Sequence, residues 1–458
     1  MIDAFAPNSL VLPMFSSAAM RAIVDDRARL QRMLDFEAAL ARAEGAVGVI
    51  PHAAVDPIVA AAKTEQLDLP AIAAAAPAAG NIAAPLIAAL TAEVAKTNLD
   101  AAGFVHWGAG AQDVIDTALV LELRDGLDAL IADLDRAVAA YVSLAGRYRR
   151  IATVARTAHQ HTLPMPLGLK FAGYAGALGR ARDRLKRLRK EALILQFGGA
   201  AGTLAVLDER GFDVCERLAA LLDLPLFDAP WHSHRDRLAE VAAALAILAG
   251  SCGKIARDIA LLMQTDVAEA FEPAPAGSDA KPLVTAHARQ PVIAANVIAC
   301  AAMAPQLAAT IMAALPHEHE RATGAWQTEW LTFPALLLAV SGAVDGVTRI
   351  GEGLEVDNER LRANIDATRG LIMAESVAQA LVDKLGKSIA AQVMEEAIAK
   401  SSAEKRPLQD IVGEDERVTL LMNPGEIARL FEPLSFQGVS QTFIERLVAS
   451  AQSRVMRR

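Results

Sequence analysis

The stretch VIDTALVLELRDGLDALIADLDRAVAAYVSLAGRYRR, residues 114–150, carries apolar side chains at helical spacing from one end to the other. Four later stretches repeat this pattern, at residues 167–195, 235–263, 292–314 and 334–350. Four of the five segments are longer than a typical helix, so the pattern predicts five long helices that pack as a bundle. The sequence therefore predicts an all-α fold built on a long central helical bundle.

The composition agrees with this prediction. Of the 458 residues, 53% are hydrophobic and only 4% are aromatic, and alanine dominates runs such as residues 71–76 and 242–249. Small helix-forming residues favour closely packed helices over sheets. With 22% charged residues, the chain has enough apolar material for a large core of two or three packed units.

Three helical domains are predicted along the chain: 1–105, 106–350 and 351–458. The first contains a helix in which Glu37 and Glu44 stand beside an apolar stripe, followed by short helices joined by proline-rich turns. The second contains the five long helices. In the third, spacing predicts three helices ahead of a charged, irregular tail, and these helices lie at residues 354–365, 375–385 and 389–400.

Charge and targeting features restrict the partners and the location. Lys and Arg number 45 against 54 Asp and Glu, a net charge of −9, and no basic arm is present, so we expect no nucleic-acid partner. The three cysteines are far apart and the N-terminus lacks a signal-peptide pattern, so we expect a cytoplasmic protein. Residues 290–317 carry no Asp, Glu, Lys or Arg, but Asn296, Pro305 and Gln306 favour a buried core helix over a membrane span.

Eight of the nine histidines fall in polar, irregular segments, and three pairs are spaced i, i+2. A metal site would need such pairs on a strand, together with carboxylates, whereas the surroundings of these pairs look helical and no HExxH motif occurs. Histidine mixed with arginine at loop-to-helix junctions instead favours a small polyanionic substrate. The alternative is that these cations pair with nearby carboxylates on the surface. The pairs are His159/His161, His232/His234 and His317/His319.

Seven segments, in order and at similar spacing, resemble the 3-carboxy-cis,cis-muconate cycloisomerases of the fumarase/aspartase superfamily, which also holds the class II fumarases and the argininosuccinate and adenylosuccinate lyases. The resemblance runs from about Phe15 to the C-terminal tail. The segments are FSSAAMRAIVDDRARLQRMLDFEAALARAE (15–44), HWGAGAQDVIDTALVL (106–121), RTAHQHTLPMPLGLKFAG (156–173), LQFGGAAGTLA (195–205), WHSHRDRLAE (231–240), GKIARDIALLMQTDVAEAFEP (253–273) and PHEHERATGAWQTEW (316–330).

The resemblance implies a three-domain, all-α homotetramer whose long central helices form the core and whose active sites are each shared by three subunits. It implies reversible addition across a carbon–carbon double bond next to a carboxylate, with lactone formation from a muconate in aromatic catabolism. No metal or organic cofactor is implied, and the expected partner is a small unsaturated carboxylate.

The resemblance also implies roles for individual residues. His161 is the residue expected to move a proton or polarise the substrate. Arg21 and His106 are expected to bind carboxylates of the substrate. Thr157 and Gln160 are expected to form the wall of the pocket that a second subunit contributes, and Arg321 and Trp326 to support the pocket.

The signature loop of the superfamily, GSSxMPxKxNP, is replaced here by GSDAKPLVTAHARQPV at residues 277–292. Direct alignment puts Pro282 at the serine that serves as catalytic acid or base, and proline has no proton to exchange. Shifting the gap places Ser278 near that position, and Lys281 is a second candidate base. His287 and Arg289 in the same loop are further substrate-binding candidates.

Two further segments have lost hydroxyl groups. The motif GATSQD appears as GAGAQD at residues 108–113, and GNS appears as GNI at residues 80–82. Because these changes fall on substrate-contacting segments, three hypotheses stay open. The chain retains the family reaction or a near variant, or it is a diverged lyase or cyclase for a less anionic substrate. The third hypothesis is a catalytically silent subunit of a mixed tetramer.

Overall fold

The computed structural model describes residues 9–274 and 289–453. The chain divides into two compact units. Unit 1 comprises Met1–Leu134, Ala181–Gly253 and Asn296–Asp345, and unit 2 comprises Asp135–Arg180, Lys254–Ala295 and Gly346–Arg458. The division into three domains, at residues 105 and 350, stays a prediction.

Short helices fill the N-terminal part of unit 1. The longest is α2, where the Asp25 carboxylate accepts a hydrogen bond from the Arg27 N–H at the start and Gly48, with φ +79°, ends it. Glu37 and Glu44 of α2 are both buried. These helices are α1 (Ala18–Ile23), α2 (Asp26–Val47), α3 (His52–Ala61), α4 (Leu69–Ala79), α5 (Ala83–Ala95) and α6 (Leu99–Ala102).

All five predicted long helices are present. The last begins at Ala325, nine residues earlier than predicted, because Pro334 lies inside the helix instead of at its first turn. The central helices, with one shorter helix among them, are α7 (Ala111–Arg147), α8 (Leu167–Glu191), α9 (Gly211–Leu222), α10 (Asp236–Leu262), α11 (Val292–Ala313) and α12 (Ala325–Gly353).

The C-terminal helices belong to unit 2 and pack around an apolar cluster that includes Val377, Leu381 and Val393. Leu408, Val412 and other apolar residues of the tail, for which no individual helices were predicted, complete this cluster on further helices. The elements are α13 (Asn358–Asp366), α14 (Ala374–Leu385), α15 (Lys387–Glu404), α16 (Leu408–Glu414), α17 (Glu416–Thr419), α18 (Pro424–Leu430) and α19 (Ser440–Ser453).

Two small antiparallel sheets interrupt the helices. One pairs β1 (Ala152–Thr157) with β2 (Gln160–Pro166), and the other pairs β3 (Ala270–Phe271) with β4 (Glu355–Val356). The expectation of helical surroundings for the first histidine pair is wrong, since His161 lies on β2. The prediction of an all-α fold is confirmed, because these strands are short and the rest of the regular structure in the described residues is helical.

Three helices, α10, α11 and α12, are long and apolar enough to cross a membrane by length and composition alone. The helix predicted at residues 292–314 is confirmed as α11, but its predicted burial is incomplete: only 33% of its most apolar window is buried. Met303 and Met312 on this helix are half exposed. The single chain therefore does not cover this apolar helix by itself.

Candidate functional site

The tip of the β1–β2 hairpin brings together three predicted site residues. Thr157 pairs with Gln160, and His161 is the next residue of β2, opposite Arg156 on β1. Ala158 and His159 form the turn, and both have positive φ, as a two-residue hairpin turn requires. The side chains of the three site residues are exposed at this tip.

A buried ion pair holds the hairpin next to its tip. The Arg156 guanidinium donates to both oxygens of Glu269, at 2.9 and 2.6 Å. Asn364 donates a further hydrogen bond to this carboxylate, at 2.8 Å. Glu269 is only 1% exposed, and a bidentate pair of this kind holds both partners in one orientation. The strand residue opposite His161 is therefore held in a fixed orientation beside the polar tip.

A lysine missed by the sequence analysis lies just beyond this hairpin. Lys170 is in the first turn of α8, is half-buried, and has no hydrogen bond to any described residue. Burial, together with the charges of Lys254 and Arg156, lowers its pKa, although Asp258 and Glu269 oppose this shift. The signal was present in the GLKFAG segment, because an isolated lysine there begins an apolar helix.

His106 lies against a buried carboxylate in unit 1. Its Nδ1 is 2.7 Å from Oε1 of Glu37, which is 1% exposed. Burial opposes the charged imidazole, but Glu37 and Asp113 outweigh it and raise the pKa of His106 above its ordinary value. The residue also has a φ of +60°, a left-handed conformation that is uncommon for histidine.

Asp113, at the start of α7, accepts hydrogen bonds from two loops, one at Gly110 and one at residues 198–199. Its Oδ2 accepts hydrogen bonds from the N–H groups of Gly110 and Gly199, at 2.9 and 2.8 Å. Its Oδ1 accepts from the N–H of Gly198 and lies 2.8 Å from His232 Nε2. A Cβ at Gly110 would lie 3.0 Å from the Gly199 carbonyl oxygen. Small residues in the GAGAQD segment therefore permit the close approach of two backbones.

Arg321 joins the same region through Gln112. Its Nε donates to Oε1 of Gln112 at 2.9 Å, and the amide of Gln112 donates to the carbonyl of His232 at 2.8 Å. A longer hydrogen bond runs from Arg321 to the carbonyl of Ala200. The structure therefore connects Arg321 to the segments that flank the N-terminus of α7.

Trp326 belongs to a buried charged cluster. Its Nε1 donates to Asp116 at 2.9 Å, and Arg235 pairs with both Asp116 and Glu329. Although burial opposes the charged guanidinium, these two carboxylates raise the pKa of Arg235. The ring of Trp231 lies 4.9 Å from the Arg235 guanidinium carbon. Trp326 thus contacts a structural ion-pair cluster.

The guanidinium groups of two arginines predicted to bind substrate are hydrogen-bonded to other groups of the protein. Arg21, at the end of α1, donates to the carbonyl and the hydroxyl of Ser16, at 2.7 and 3.2 Å. Arg289 donates to both oxygens of Glu355, each at 2.7 Å, and its guanidinium lies over Phe271. A substrate carboxylate would have to replace Glu355 to gain a bidentate contact with Arg289.

The described site residues fall into two groups. Unit 1 holds Arg21, His106, Arg321 and Trp326, and unit 2 holds Thr157, Gln160, His161 and Arg289. Ser278, Lys281 and His287 lie outside the described residues. Within residues 9–274 and 289–453, no three His, Cys, Asp or Glu side chains are grouped as a metal site would require.

A cavity of about 870 Å³ lies in unit 1, between residues of α2, α4, α7 and α12. Its lining is mostly apolar and includes Asn81 and Ile82, which replace the GNS motif, and Ile115 and Leu119 of α7. Nε1 of Trp330, another lining residue, has no hydrogen-bond partner among the described residues. The lining of the cavity therefore fits an apolar group.

Comparison with known families gives two matches. A family described as lyase matches residues 15–280, more than half of the chain. A second model, described as the C-terminus of adenylosuccinate lyase, matches residues 370–447. The two matches are in sequence order; the first includes the helices α1 to α10, and the second lies within the C-terminal helices.

Individual proteins are similar over nearly the whole chain. A 3-carboxy-cis,cis-muconate cycloisomerase from Bradyrhizobium diazoefficiens is 57% identical over 447 residues, which cover 98% of this chain and 99% of that protein. A Pseudomonas aeruginosa protein of the same name is 45% identical over 96% of both chains. The crystal structure of 3-carboxy-cis,cis-muconate lactonizing enzyme from Pseudomonas putida matches with a TM-score of 0.94 and 44% identity, over 98% of this chain and 100% of that one.

Proposed function

Because the chain belongs to the 3-carboxy-cis,cis-muconate cycloisomerase family of the fumarase/aspartase superfamily, we propose that it converts 3-carboxy-cis,cis-muconate to a muconolactone. The observation that carries the proposal is the 57% identity over 98% of the chain to a cycloisomerase of that name. Identity at this level over nearly the whole of both chains favours the family reaction over a diverged lyase.

The reaction needs two kinds of group. A carboxylate oxygen of the substrate forms a C–O bond with one alkene carbon, and the alkene electrons move towards the neighbouring carbon. That carbon is next to a carboxylate, which takes up the charge as an aci-carboxylate. Cations and N–H donors stabilise this charge, and an acid then delivers one proton to the carbon. Substrate and product are isomers once the acid regains its proton from water.

We assign the proton transfer or polarisation to His161. Its ring is exposed at the hairpin tip and has no hydrogen bond to any described residue, so both ring nitrogens are available to a substrate. Thr157 and Gln160 at the same tip would form a wall beside the substrate. Arg21 and His106 would bind carboxylates from unit 1, and Arg321 and Trp326 would support that part of the site.

The loop with Ser278 and Lys281 supplies two further candidate acids or bases, and His287 a further substrate contact. These assignments rest on the match to the signature loop. Both oxygens of Glu355 accept hydrogen bonds from the Arg289 guanidinium. We therefore propose that Arg289 binds the substrate by replacing Glu355 with a substrate carboxylate.

We further propose that the chain acts in the cytoplasm as a homotetramer whose sites are shared between subunits. The support is the exposed apolar surface of helices in the central bundle, where Leu331 is 79% exposed and most of α11 is not covered. Light scattering on the purified protein should give about 190 kDa for four 48.3-kDa chains. A monomer at micromolar concentration would contradict this proposal.

The activity test is loss of the diene absorbance of 3-carboxy-cis,cis-muconate, with the Pseudomonas putida enzyme as a positive control. We expect turnover at a comparable rate. Absence of turnover by a folded tetramer would reject the proposed function and favour a less carboxylated substrate or a mixed tetramer. In the latter case, mixing with a relative that lacks its own loop serine should restore activity.

The role of His161 is tested by a matched pair of variants on one hairpin. His161→Asn should lower kcat by about 10²–10⁴, the usual contribution of a general acid. His159→Asn should retain most of the activity, because asparagine tolerates the positive φ of that turn position. Equal activity of the two variants would remove the assignment. Ser278→Ala and Lys281→Ala apply the same test to the loop.

A further inference from the structure

Two buried carboxyl groups lie on one face of α2. Glu37 and Glu44 are seven residues apart, or about two helical turns, and each is only 1% exposed. Oε1 of Glu37 meets His106, but Oε2 of Glu37 and both oxygens of Glu44 have no hydrogen-bond partner among the described residues. Buried carboxyls without partners are costly, so this arrangement calls for a functional explanation.

The two carboxyls have different surroundings. Burial and the nearby charge of Glu37 raise the pKa of Glu44 to about 9, so Glu44 is a neutral acid at pH 7. Glu37 differs from Glu44 because it has a partner: its Oε1 lies 2.7 Å from Nδ1 of His106. A carboxylate only accepts hydrogen bonds, so this contact requires Nδ1–H of His106 as the donor.

The charged groups around His106 all favour its protonated form. Glu37 approaches from α2, and Asp113 acts from the start of α7. On α9, which packs against α2, burial raises the pKa of the Cys215 thiol to about 12, so this group is neutral. Glu44 is neutral as well. With Nδ1 held by Glu37, Nε2 is the ring edge that no described residue occupies, and the side chain retains 14% exposure.

We infer that Glu37 is a positioning residue that fixes the ring of His106 with Nδ1 inward and keeps it cationic, so that Nε2–H is presented to a carboxylate of the substrate. The inference deepens the proposed function and rests on it for the identity of the anion. The state of the His106 ring is a property of the free protein, however, and is measurable without any substrate.

The first experiment compares Glu37→Gln with Glu44→Gln, two isosteric changes of buried residues on the same helix. In Glu37→Gln the new side-chain amide oxygen still accepts from Nδ1, so the ring keeps its orientation while the charge is lost. Histidine labelled with ¹³C at Cε1, assigned with a His106→Gln variant, reports the His106 titration. We expect its midpoint above 6.5 in the wild type, below 6.5 in Glu37→Gln, and unchanged in Glu44→Gln. Equal midpoints in all three proteins would overturn the inference.

The second experiment measures what the charge does for binding. Benzene-1,2,4-tricarboxylate, a planar tricarboxylate, is titrated calorimetrically at pH 7.5 in two buffers of different ionisation enthalpy. Glu37→Gln should take up more protons per site than the wild type, by as much as one, because less of its His106 is charged before binding. Identical proton uptake in the two proteins would overturn the inference, because the imidazolium would then not be the carboxylate donor.

Kinetics separate a charge effect from a general structural defect. For Glu37→Gln, KM for 3-carboxy-cis,cis-muconate at pH 7.5 should rise by up to about tenfold for each pKa unit lost by His106, and should fall again as the pH is lowered towards the new midpoint. The value of kcat should change much less, and Glu44→Gln should match the wild type in both. A fall in kcat with a pH-independent KM would contradict the inference. Failure of the wild type to turn over this substrate would instead reject the proposed function, while the titration still decides the role of Glu37.

Discussion

The substitution Asp113→Asn should lower the free energy of unfolding while the protein keeps its fold. The two carboxylate oxygens accept five hydrogen bonds, from Gly110, Gly198, Gly199, Gln196 and His232. Asparagine offers one oxygen and one NH₂ group, so at least two of these donors would face another donor. The less costly orientation leaves the N–H groups of Gly110 and Gly199 without an acceptor. Each orphaned buried donor costs about 1–3 kcal/mol, which gives a loss of about 2–6 kcal/mol.

The assay is urea unfolding at one fixed protein concentration, followed by circular dichroism, together with hydrogen exchange of the segment around Gly198 and Gly199. The matched control is Asp228→Asn, which removes the same charge from an exposed side chain and should change stability by less than about 0.5 kcal/mol. We expect faster exchange in this segment for Asp113→Asn only. Equal unfolding midpoints for the two variants, or unchanged exchange, would refute the reasoning.

Three further predictions concern stability. Arg235→Met should lower the free energy of unfolding in urea by about 3–5 kcal/mol, because it leaves the buried carboxylates of Asp116 and Glu329 without their cation. A decrease below about 1 kcal/mol would contradict this prediction. Gly168→Ala should lower the melting temperature, because its Cβ would lie 2.5 Å from the Ala145 carbonyl oxygen. The control is Gly173→Ala on the same helix. Its Cβ meets nothing within 4 Å, so this change should be neutral or stabilising. Glu44 binds its proton more tightly in the folded state, so its contribution is fully present below pH 4.5 and is lost as the pH rises towards 9. Glu44→Gln should therefore weaken the fall in stability between pH 5 and pH 9, and a pH dependence identical to that of the wild type would show that Glu44 is ionised at neutral pH.

The long helices were predictable because their apolar spacing is a local property of the chain. The β1–β2 hairpin was not, because the segment from Arg156 to Pro166 has no alternation of polar and apolar residues. Its turn also lacks the glycine or asparagine that usually marks positive φ, since Ala158 and His159 adopt this conformation instead. Backbone pairing and the Arg156–Glu269 contact, which joins residues far apart in the sequence, hold the hairpin.

The candidate site shows the same limit. Motif positions such as His106 and His161 were identified from the sequence, but Glu37 and Glu44 looked like charges beside an apolar stripe. Both are buried, because other helices cover that face of α2. Asp113 belongs to a recognised motif, yet its link to Gly198 and Gly199 depends on the folded path of the chain. The contacts that could not be predicted from the sequence are therefore those between residues far apart in the chain.

The partly covered helix α11 has a consequence for how the protein behaves on dilution. If further copies of the chain cover the apolar face around Met303 and Met312, association and folding are linked by mass action. The melting temperature should then rise with protein concentration, and a dilute sample should become sensitive to proteases. A cell that makes too little of this chain would accordingly lose activity, because the proposed sites are shared between subunits, and would also lose the dissociated chains to degradation.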